Sequence, residues 1–250
     1  MKVAQKTSSN FLVISLLVTF FYTQNLFSQD YSDHTLATRE EILMAARGDI
    51  SVIEKLLMRW NCDYKELKET NDSYSFLTGK EWNEVKHLLK TLKSSKDIQN
   101  REINRRLPFS ILDDCGKKID LKESHQLFLP QTYVSAAFLM ALLPSEKIVA
   151  LPEGIRKDID LFGPVMHKIT LDNSRINSEV IYYMHPQVAF TAHYTLPATR
   201  KMLENQEVEL FDINSLDTVE DIRFSLEKLG VVVRQPLKSR LISLFMKAFF

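Results

Sequence analysis

The sequence predicts an α/β fold, a lobe of three layers around a mainly parallel sheet, with a helical extension before it. From residue 108 onward, short apolar strands alternate with helices, an order typical of parallel sheets covered on both faces. Before residue 108, apolar residues recur at helical spacing. The chain has 250 residues and is 45% hydrophobic, which is ample material for a buried core.

The first 28 residues are predicted to be a secretory signal peptide. Lys2 and Lys6 precede the apolar run "FLVISLLVTFFY", and the polar stretch "TQNLFSQD" follows it, with cleavage expected after Ser28. A membrane anchor is the alternative, but an anchor needs a run of about 20 apolar residues. No cysteine lies near the cleavage region, which argues against a lipoprotein. We therefore expect a periplasmic protein.

Residues 29–107 form the predicted helical extension, whose role the sequence does not indicate. The segment "TREEILMAARGDISVIEKLLMRW" begins with a capping box, Thr38 followed by Glu41, and Gly48 breaks it into a helical hairpin. "KEWNEVKHLLKTLKSSK" predicts another amphipathic helix, whereas "SSKDIQNREINRR" is expected to be a polar connector.

Residues 108–214 form the predicted α/β lobe. "FSILDDCGKKIDL" predicts a β-hairpin, because Gly116 can adopt the positive φ that the turn requires. The expected strands are "HQLFLP", "KIVALP", "QVAFTAH" and "VELFDI", with "HKITLD" as a further candidate. The expected helices are "TYVSAAFLMALLP", "NSEVIYYMHP" and "LPATRKMLENQ".

Residues 215–250 are predicted to form two helices. The first is expected to begin at a cap near Ser215 or Asp217 and to be interrupted at Gly230, and the second to resume at Pro236. The sequence ends on two phenylalanines, and we expect such an apolar end to lack its packing partner or to receive it from another chain.

Charge and cysteine content exclude several classes of function. Lys and Arg total 32 and so do Asp and Glu, so no general attraction to nucleic acid is expected. Cys62 and Cys115 could pair in an oxidising compartment or remain free thiols. Two cysteines without a matching histidine spacing do not predict a zinc site.

Three loops of the predicted lobe follow the carboxyl ends of strands, where open parallel sheets bind ligands. They contribute two phenols, an imidazole, hydroxyls and two cations, a set that can hold a small molecule by hydrogen bonds, stacking and charge. The candidate ligand-binding residues are Gln131, Thr132, Tyr133, Arg156, Lys157, His193, Tyr194 and Thr195.

The sequence does not predict an enzyme, a cofactor or a metal site. It contains no Gly-x-Ser-x-Gly, no His-Glu-x-x-His and only six glycines, which argues against nucleotide-binding loops. His193 beside Tyr194 could serve acid–base chemistry, but no partnered nucleophile is visible. His185 and His193 flank opposite ends of one predicted strand and cannot share an ion.

Residues 108–250 resemble the substrate-binding proteins of bacterial ABC importers for iron–siderophore complexes, haem and vitamin B12. The hairpin turn "DDCGKKI" matches the Asp-x-x-Gly-basic-x-apolar turn of these proteins, and "SLDTVEDIRFSLEKLGVVVRQ" is similar to the start of the helix that joins their two lobes. A further stretch matches through Asn177, Glu179, Pro186, Thr199 and Leu203, although the Asp expected after Pro186 is Gln187.

This resemblance implies an exported binding component of an ABC importer whose ligand is an iron complex or cobalamin. It implies a permease in the inner membrane as partner, for which Glu179 is a candidate contact. The second lobe of these proteins has no counterpart here, so we expect a one-lobe or truncated chain that binds weakly unless a separate chain supplies the facing lobe. The alternative is a degenerate α/β scaffold that acts as an interaction protein through its helical extension.

Overall fold

The computed structural model describes residues 37–67, 77–121, 125–156 and 177–249, together with residues 163, 167, 169, 171 and 172. The predicted signal peptide, Lys157 and Phe250 lie outside the described residues, as do Lys168 and Thr170 of "HKITLD" and the side chain of Cys62. Within the described ranges, no helix combines the length and the apolar character that crossing a membrane requires.

The predicted helical extension consists of four helices within the described residues, and both of its hairpin helices are confirmed. Capping boxes at Thr38 and Thr78 satisfy the first backbone N–H groups of α1 and α3. The bounds are α1 Arg39–Ala46, α2 Ile50–Leu67, α3 Gly79–Leu92 and α4 Lys96–Arg106.

Helix α4 corrects the prediction of a polar connector at "SSKDIQNREINRR". None of its residues is buried, so the helix has no apolar face that a periodicity argument could detect. Charge supports it instead, because Asp97 lies in the first turn and Arg105 and Arg106 lie in the last. The Gln99 amide also donates to the carbonyls of Leu92 and Ser94, which ties α4 to the end of α3.

The lobe contains a parallel sheet, as predicted, but with three strands, in the order β3-β4-β5. Every residue of β3 and β4 is buried, because helices cover both faces. The expected strand "KIVALP" runs beside β3 through an isolated bridge between Ile148 and Phe128, and a further bridge joins Leu151 to Asp172. The three strands are β3 Phe128–Pro130, β4 Val188–Thr191 and β5 Glu209–Asp212.

The predicted hairpin is confirmed as an antiparallel pair, β1 Ser110–Leu112 with β2 Lys118–Asp120. Gly116 adopts a φ of 82° in its turn. The Asp113 carboxylate accepts hydrogen bonds from the backbone N–H groups of Cys115 and Lys117 at 2.9 and 2.8 Å. The turn is therefore fixed by its own aspartate.

Three of the helices that alternate with the strands begin at the predicted positions, whereas residues 154–156, which were expected to lie in a loop, belong to the short helix α6. Asn177 caps α7 by accepting from the N–H of Val180, and Pro197 opens α8. The bounds are α5 Tyr133–Leu142, α6 Glu153–Arg156, α7 Ser178–Met184 and α8 Pro197–Asn205.

The last two helices are α9 Val219–Val232 and α10 Pro236–Phe249. The predicted interruption at Gly230 is wrong, since α9 continues to Val232, and its cap is Thr218 and not Ser215 or Asp217. Gly230 lies where α9 meets α10: a Cβ on Gly230 would fall 2.0 Å from the Ser239 hydroxyl. The glycine permits close packing of two helices and does not end the first.

One apolar core extends through the helical extension, the lobe and the two last helices. It includes Leu88 of α3, Leu139 of α5 and Leu241 of α10. The ring of Phe249 lies 5.5 Å from that of Trp60. The expectation that the apolar end lacks a packing partner within this chain is therefore wrong for Phe249, which the α2 tryptophan contacts.

Candidate functional site

The parallel pairing of the strands places three loops at one edge of the sheet, which we call the carboxyl edge. They are residues 131–133 after β3, the last of which is the first residue of α5, residues 192–196 after β4 and residues 213–215 after β5. Pro130 pairs with Phe190, and Thr191 pairs with Asp212, so the three strands end side by side. The backbone N–H of Gln131 donates to the carbonyl of Phe190 at 2.9 Å. The candidate ligand-binding residues predicted from the sequence include residues of the first two of these loops.

The loop after β3 presents Gln131 and Tyr133 and buries Thr132. The Thr132 hydroxyl accepts from the N–H of Ser135 at 3.1 Å and so caps α5. Tyr133 is half-buried and lies against α6, since its ring is 3.8 Å from where a Cβ on Gly154 would be. Thr132 is therefore engaged in holding the loop, whereas its two neighbours remain partly accessible at the edge.

The loop after β4 exposes His193 and Tyr194. Their rings meet edge to face with centroids 5.2 Å apart, and the Tyr194 side chain is 57% exposed. The Thr195 hydroxyl accepts from the backbone N–H of Ala192 at 3.0 Å, which closes the turn. An imidazole and a phenol thus stand at the surface on a loop whose backbone is fixed.

Arg156 is the last residue of α6, and its side chain binds other residues of this chain. Its guanidinium donates to the carbonyls of Ile169 and Leu171 at 2.7 and 2.9 Å and pairs with Asp172. These contacts fasten α6 to residues 169–172, and Asp172 in turn forms a bridge with Leu151. The neighbouring candidate, Lys157, lies outside the described residues.

A buried ion pair beneath the carboxyl edge was not anticipated from the sequence. Arg200 of α8 binds both oxygens of Asp212, at 2.6 and 2.8 Å, and the Thr191 hydroxyl donates to the same carboxylate at 2.7 Å. The Arg200 guanidinium first, then the Thr191 hydroxyl, lower the pKa of Asp212 in spite of its burial. The ends of β4 and β5 are thereby joined to α8.

Asp114 of the hairpin extends this network to α9. It accepts from the Lys228 ammonium at 2.7 Å and from the backbone N–H groups of Asn214 and Ser215 at 2.7 and 3.1 Å. Burial raises the pKa of Asp114, but Lys228 and the two N–H groups outweigh it and lower that pKa. The hairpin turn therefore positions the loop after β5.

Cys115 is a free, exposed thiol at the same edge. Its Sγ accepts from the Asn214 side-chain amide at 3.2 Å, and burial together with the nearby Asp212 and Asp113 raises the pKa of the thiol. The thiol consequently stays protonated at neutral pH and is a poor nucleophile. Within the described part of the chain, no three His, Cys, Asp or Glu side chains converge to hold a metal ion.

The loop after β5 could have been found from the sequence. The rule that selected the loops after β3 and β4 applies equally to "VELFDI", which Asn214 and Ser215 follow. The pairing of Arg200 with Asp212 could not have been found, because a residue on α8 reaches the end of β5 only in the folded chain. Glu179, the candidate permease contact, is exposed on α7.

No known protein-family model matches this chain, and no curated protein does. Several solved structures match about half of this chain. A periplasmic solute-binding protein from Veillonella parvula DSM 2008 is 19% identical with a TM-score of 0.42, and the match covers 52% of this chain and 42% of that one. The haem-binding protein HmuT is 17% identical with a TM-score of 0.43, over 54% of this chain and 43% of its own.

A TroA-like periplasmic binding protein, FepB from Veillonella parvula, is likewise 17% identical with a TM-score of 0.43, over 54% of this chain and 45% of its own. The chain thus spans less than half the length of these structures. Two of the three are described as periplasmic binding proteins and the other as a haem-binding protein. We transfer no ligand and no residue role from them to this chain.

Proposed function

We propose that this protein is the exported solute-binding component of an ABC importer and that the carboxyl edge holds the solute, an iron complex or a cobalamin. The observation that carries the proposal is the parallel pairing of β3 with β4, because Gln131 and Tyr133 closely follow the first strand and His193 and Tyr194 closely follow the second. The motifs of residues 108–250 resemble such proteins in the same order.

The network beneath the edge supports a binding role. Arg200, Asp212 and Asp114 fix the loops after β4 and β5 to α8, to α9 and to the hairpin. A loop that is already held in place loses little conformational freedom when a ligand binds, which raises affinity for a given set of contacts. The exposed side chains of this edge therefore stand on a preorganised base.

The exposed groups suit a solute with a flat or hydroxyl-rich surface. Tyr194 and His193 offer aromatic faces for stacking, and the Gln131 amide can both donate and accept hydrogen bonds. Thr132, Thr195 and Arg156 are engaged in local hydrogen bonds, so we give them a supporting part and leave them out of the binding set.

The carboxyl edge contacts a solute from one side, and we therefore expect weak binding by this chain in isolation. Pockets that bind small molecules tightly cover most of the surface of their ligand. A separate polypeptide or a second copy of the chain would supply the facing surface. Delivery to an inner-membrane permease follows from the proposed class, with exposed Glu179 as the contact that we would test first.

Titration of the purified chain with haem, ferric siderophores and cobalamin tests the proposal. Tyr194→Ala is expected to weaken binding of the solute that binds by at least about fivefold, the loss typical of an aromatic residue that carries much of the binding energy. Tyr183→Ala is the matched control, because Tyr183 is 82% exposed but lies before the amino end of β4.

Equal losses in the two tyrosine variants would overturn the placement of the site. Absence of binding to any of the three solutes, in the monomer and in concentrated samples that favour association, would overturn the proposed class of solute.

A further inference from the structure

Asn214 touches both the backbone and the ring of His193. Its Oδ1 lies 2.7 Å from the backbone nitrogen of His193 and 3.2 Å from the ring Nδ1. Because a backbone N–H can only donate, the side-chain atom of Asn214 that faces it must be the oxygen. The orientation of the amide is therefore fixed by hydrogen bonding.

The fixed amide selects one tautomer of His193. A neutral imidazole carries its proton on one of two nitrogens. If Nδ1 carries it, the contact with Oδ1 is a hydrogen bond; if Nε2 carries it, two lone pairs face each other at 3.2 Å. Asn214 therefore favours the Nδ1–H form, which leaves Nε2 with its lone pair and without a proton.

The other contacts of Asn214 keep its amide in place. Its backbone N–H donates to Asp114 at 2.7 Å, and its Nδ2 donates to the Sγ of Cys115 at 3.2 Å. Asp114 is in turn held by Lys228 of α9. Among the described residues, no hydrogen bond or ion pair engages the Nε2 of His193, and the side chain is exposed.

We propose that Asn214 is a positioning residue that presents the Nε2 lone pair of His193 to the solute. This inference rests on the proposed function and narrows its solute class. A lone-pair donor without a proton is complementary to a metal ion that has an exchangeable coordination position, as the iron of haem has. To a chelate whose metal is fully enclosed it can offer only a hydrogen-bond acceptor and no bond to the metal. The bond is dative, so no proton has to leave the ring.

The tautomer can be measured directly by two-bond ¹H–¹⁵N correlation spectra of His193, recorded at alkaline pH with the ring neutral. The intact chain is expected to show a protonated Nδ1 and a bare Nε2. Asn214→Ala is expected to move the proton to Nε2, the form that free histidine prefers in water. The same substitution at exposed Asn205 is the matched control and should leave the spectrum unchanged.

The binding arm compares iron(III) protoporphyrin with metal-free protoporphyrin. Asn214→Ala is expected to weaken the iron form by about tenfold, the usual loss when the partner that orients a ligating histidine is removed, and to leave the metal-free form unchanged. A variant that merely loosened the loop would weaken both porphyrins equally, and that result would overturn the inference. So would an Nε2–H ring in the intact chain.

Failure of this inference is distinguishable from failure of the proposed function. A chain that binds haem or a ferric siderophore while His193 carries its proton on Nε2 retains the function and loses the inference. Asn214→Asp provides a second variant with the acceptor oxygen retained, and it is expected to keep the proton on Nδ1. If it moves the proton to Nε2 as Asn214→Ala does, the role of Oδ1 is refuted.

Discussion

Two arginine–carboxylate clusters in this protein are built alike and lie in different regions. Beneath the carboxyl edge, Arg200 binds both oxygens of Asp212. Between the helices, Arg240 of α10 binds both oxygens of Glu84 of α3 at 3.1 and 2.9 Å and one oxygen of Glu227 of α9 at 3.0 Å. The first cluster joins two consecutive elements, α8 and β5, whereas the second joins α10 to α3, 156 residues away in sequence.

The clusters differ in what lies around them. A cleft of about 380 Å³ adjoins Arg240, but the acids and bases that line it balance one another, and Arg240 is committed to two carboxylates. The Arg200 cluster lies under a loop that exposes His193 and Tyr194. A charged cluster therefore shows where elements of the fold are held together. It indicates a binding site only where the loops that it fixes also expose aromatic or imidazole side chains.

The largest effect is expected in the helical region, from Gly230→Ala. The new Cβ would lie 2.0 Å from the Ser239 hydroxyl and 2.2 Å from its Cβ, so α9 and α10 must separate. The free energy of unfolding is expected to fall by about 3 kcal/mol, the upper part of the range for overpacked sites. Urea denaturation followed by circular dichroism measures it.

Two further variants test whether that contact is the cause. Gly79→Ala is the matched control, because no atom lies within 4 Å of a Cβ at Gly79, and it should be neutral or slightly stabilising. Ser239→Gly in the Gly230→Ala background should restore part of the loss, since it removes both atoms that clash. Equal losses at Gly230 and Gly79 would contradict the packing argument.

A smaller effect on stability is expected from Asp212→Asn, which leaves Arg200 without its carboxylate. Removal of one partner of a buried pair costs about 3 to 5 kcal/mol, but the Arg200 side chain is 29% exposed, so we expect about 2 kcal/mol. The same substitution should weaken solute binding, because the loop after β4 loses its anchor.

Glu84→Gln provides the comparison at the other cluster. It is expected to cost about 1 kcal/mol, since Arg240 keeps Glu227, and to leave solute binding unchanged. If Glu84→Gln lowers solute affinity as much as Asp212→Asn does, the distinction between a cluster that fastens helices and one that supports a site fails.

The smallest effect is a pH dependence carried by the helical region. Burial raises the pKa of Glu81, but the Lys247 ammonium and the Thr78 cap outweigh it and lower that pKa to about 2. The Arg59 guanidinium, followed by Lys55 and Thr38, lowers the pKa of Glu41 to about 2 as well. A lowered carboxyl pKa stabilises the folded state above the unfolded value of 4.5, and this stabilisation is lost as the pH falls towards 2.

Glu81→Gln should therefore flatten the decline of stability over that window, whereas Glu40→Gln should not, because Glu40 is exposed and makes no ion pair with any described residue. Unfolding free energies from urea titrations at a series of pH values measure the slope. An identical slope in the two variants would contradict the contribution of the Glu81–Lys247 pair.

Much of the fold and part of the candidate site could be predicted from the sequence. Some features depend only on neighbouring residues, so they can be predicted from the sequence directly. These are the apolar strands, the caps such as Thr38 and Asn177, and the glycine of the hairpin turn. The strand-end rule likewise located His193 and Tyr194. Helix α4 was not predicted because it buries no residue. The break at Gly230 was wrongly predicted because a glycine that ends a helix and one that permits close packing look the same in a sequence.

What the sequence by itself determined is the order of elements and the loops that end at one edge, since parallel strands with short connections leave few alternatives. Only the tertiary structure decided which side chains of those loops are exposed. The Arg156 guanidinium binds the carbonyls of Ile169 and Leu171, and Asn214 faces His193, through contacts between segments that lie 13 to 21 residues apart in sequence. Such pairings depend on distances in space, which residue spacing along a chain does not contain.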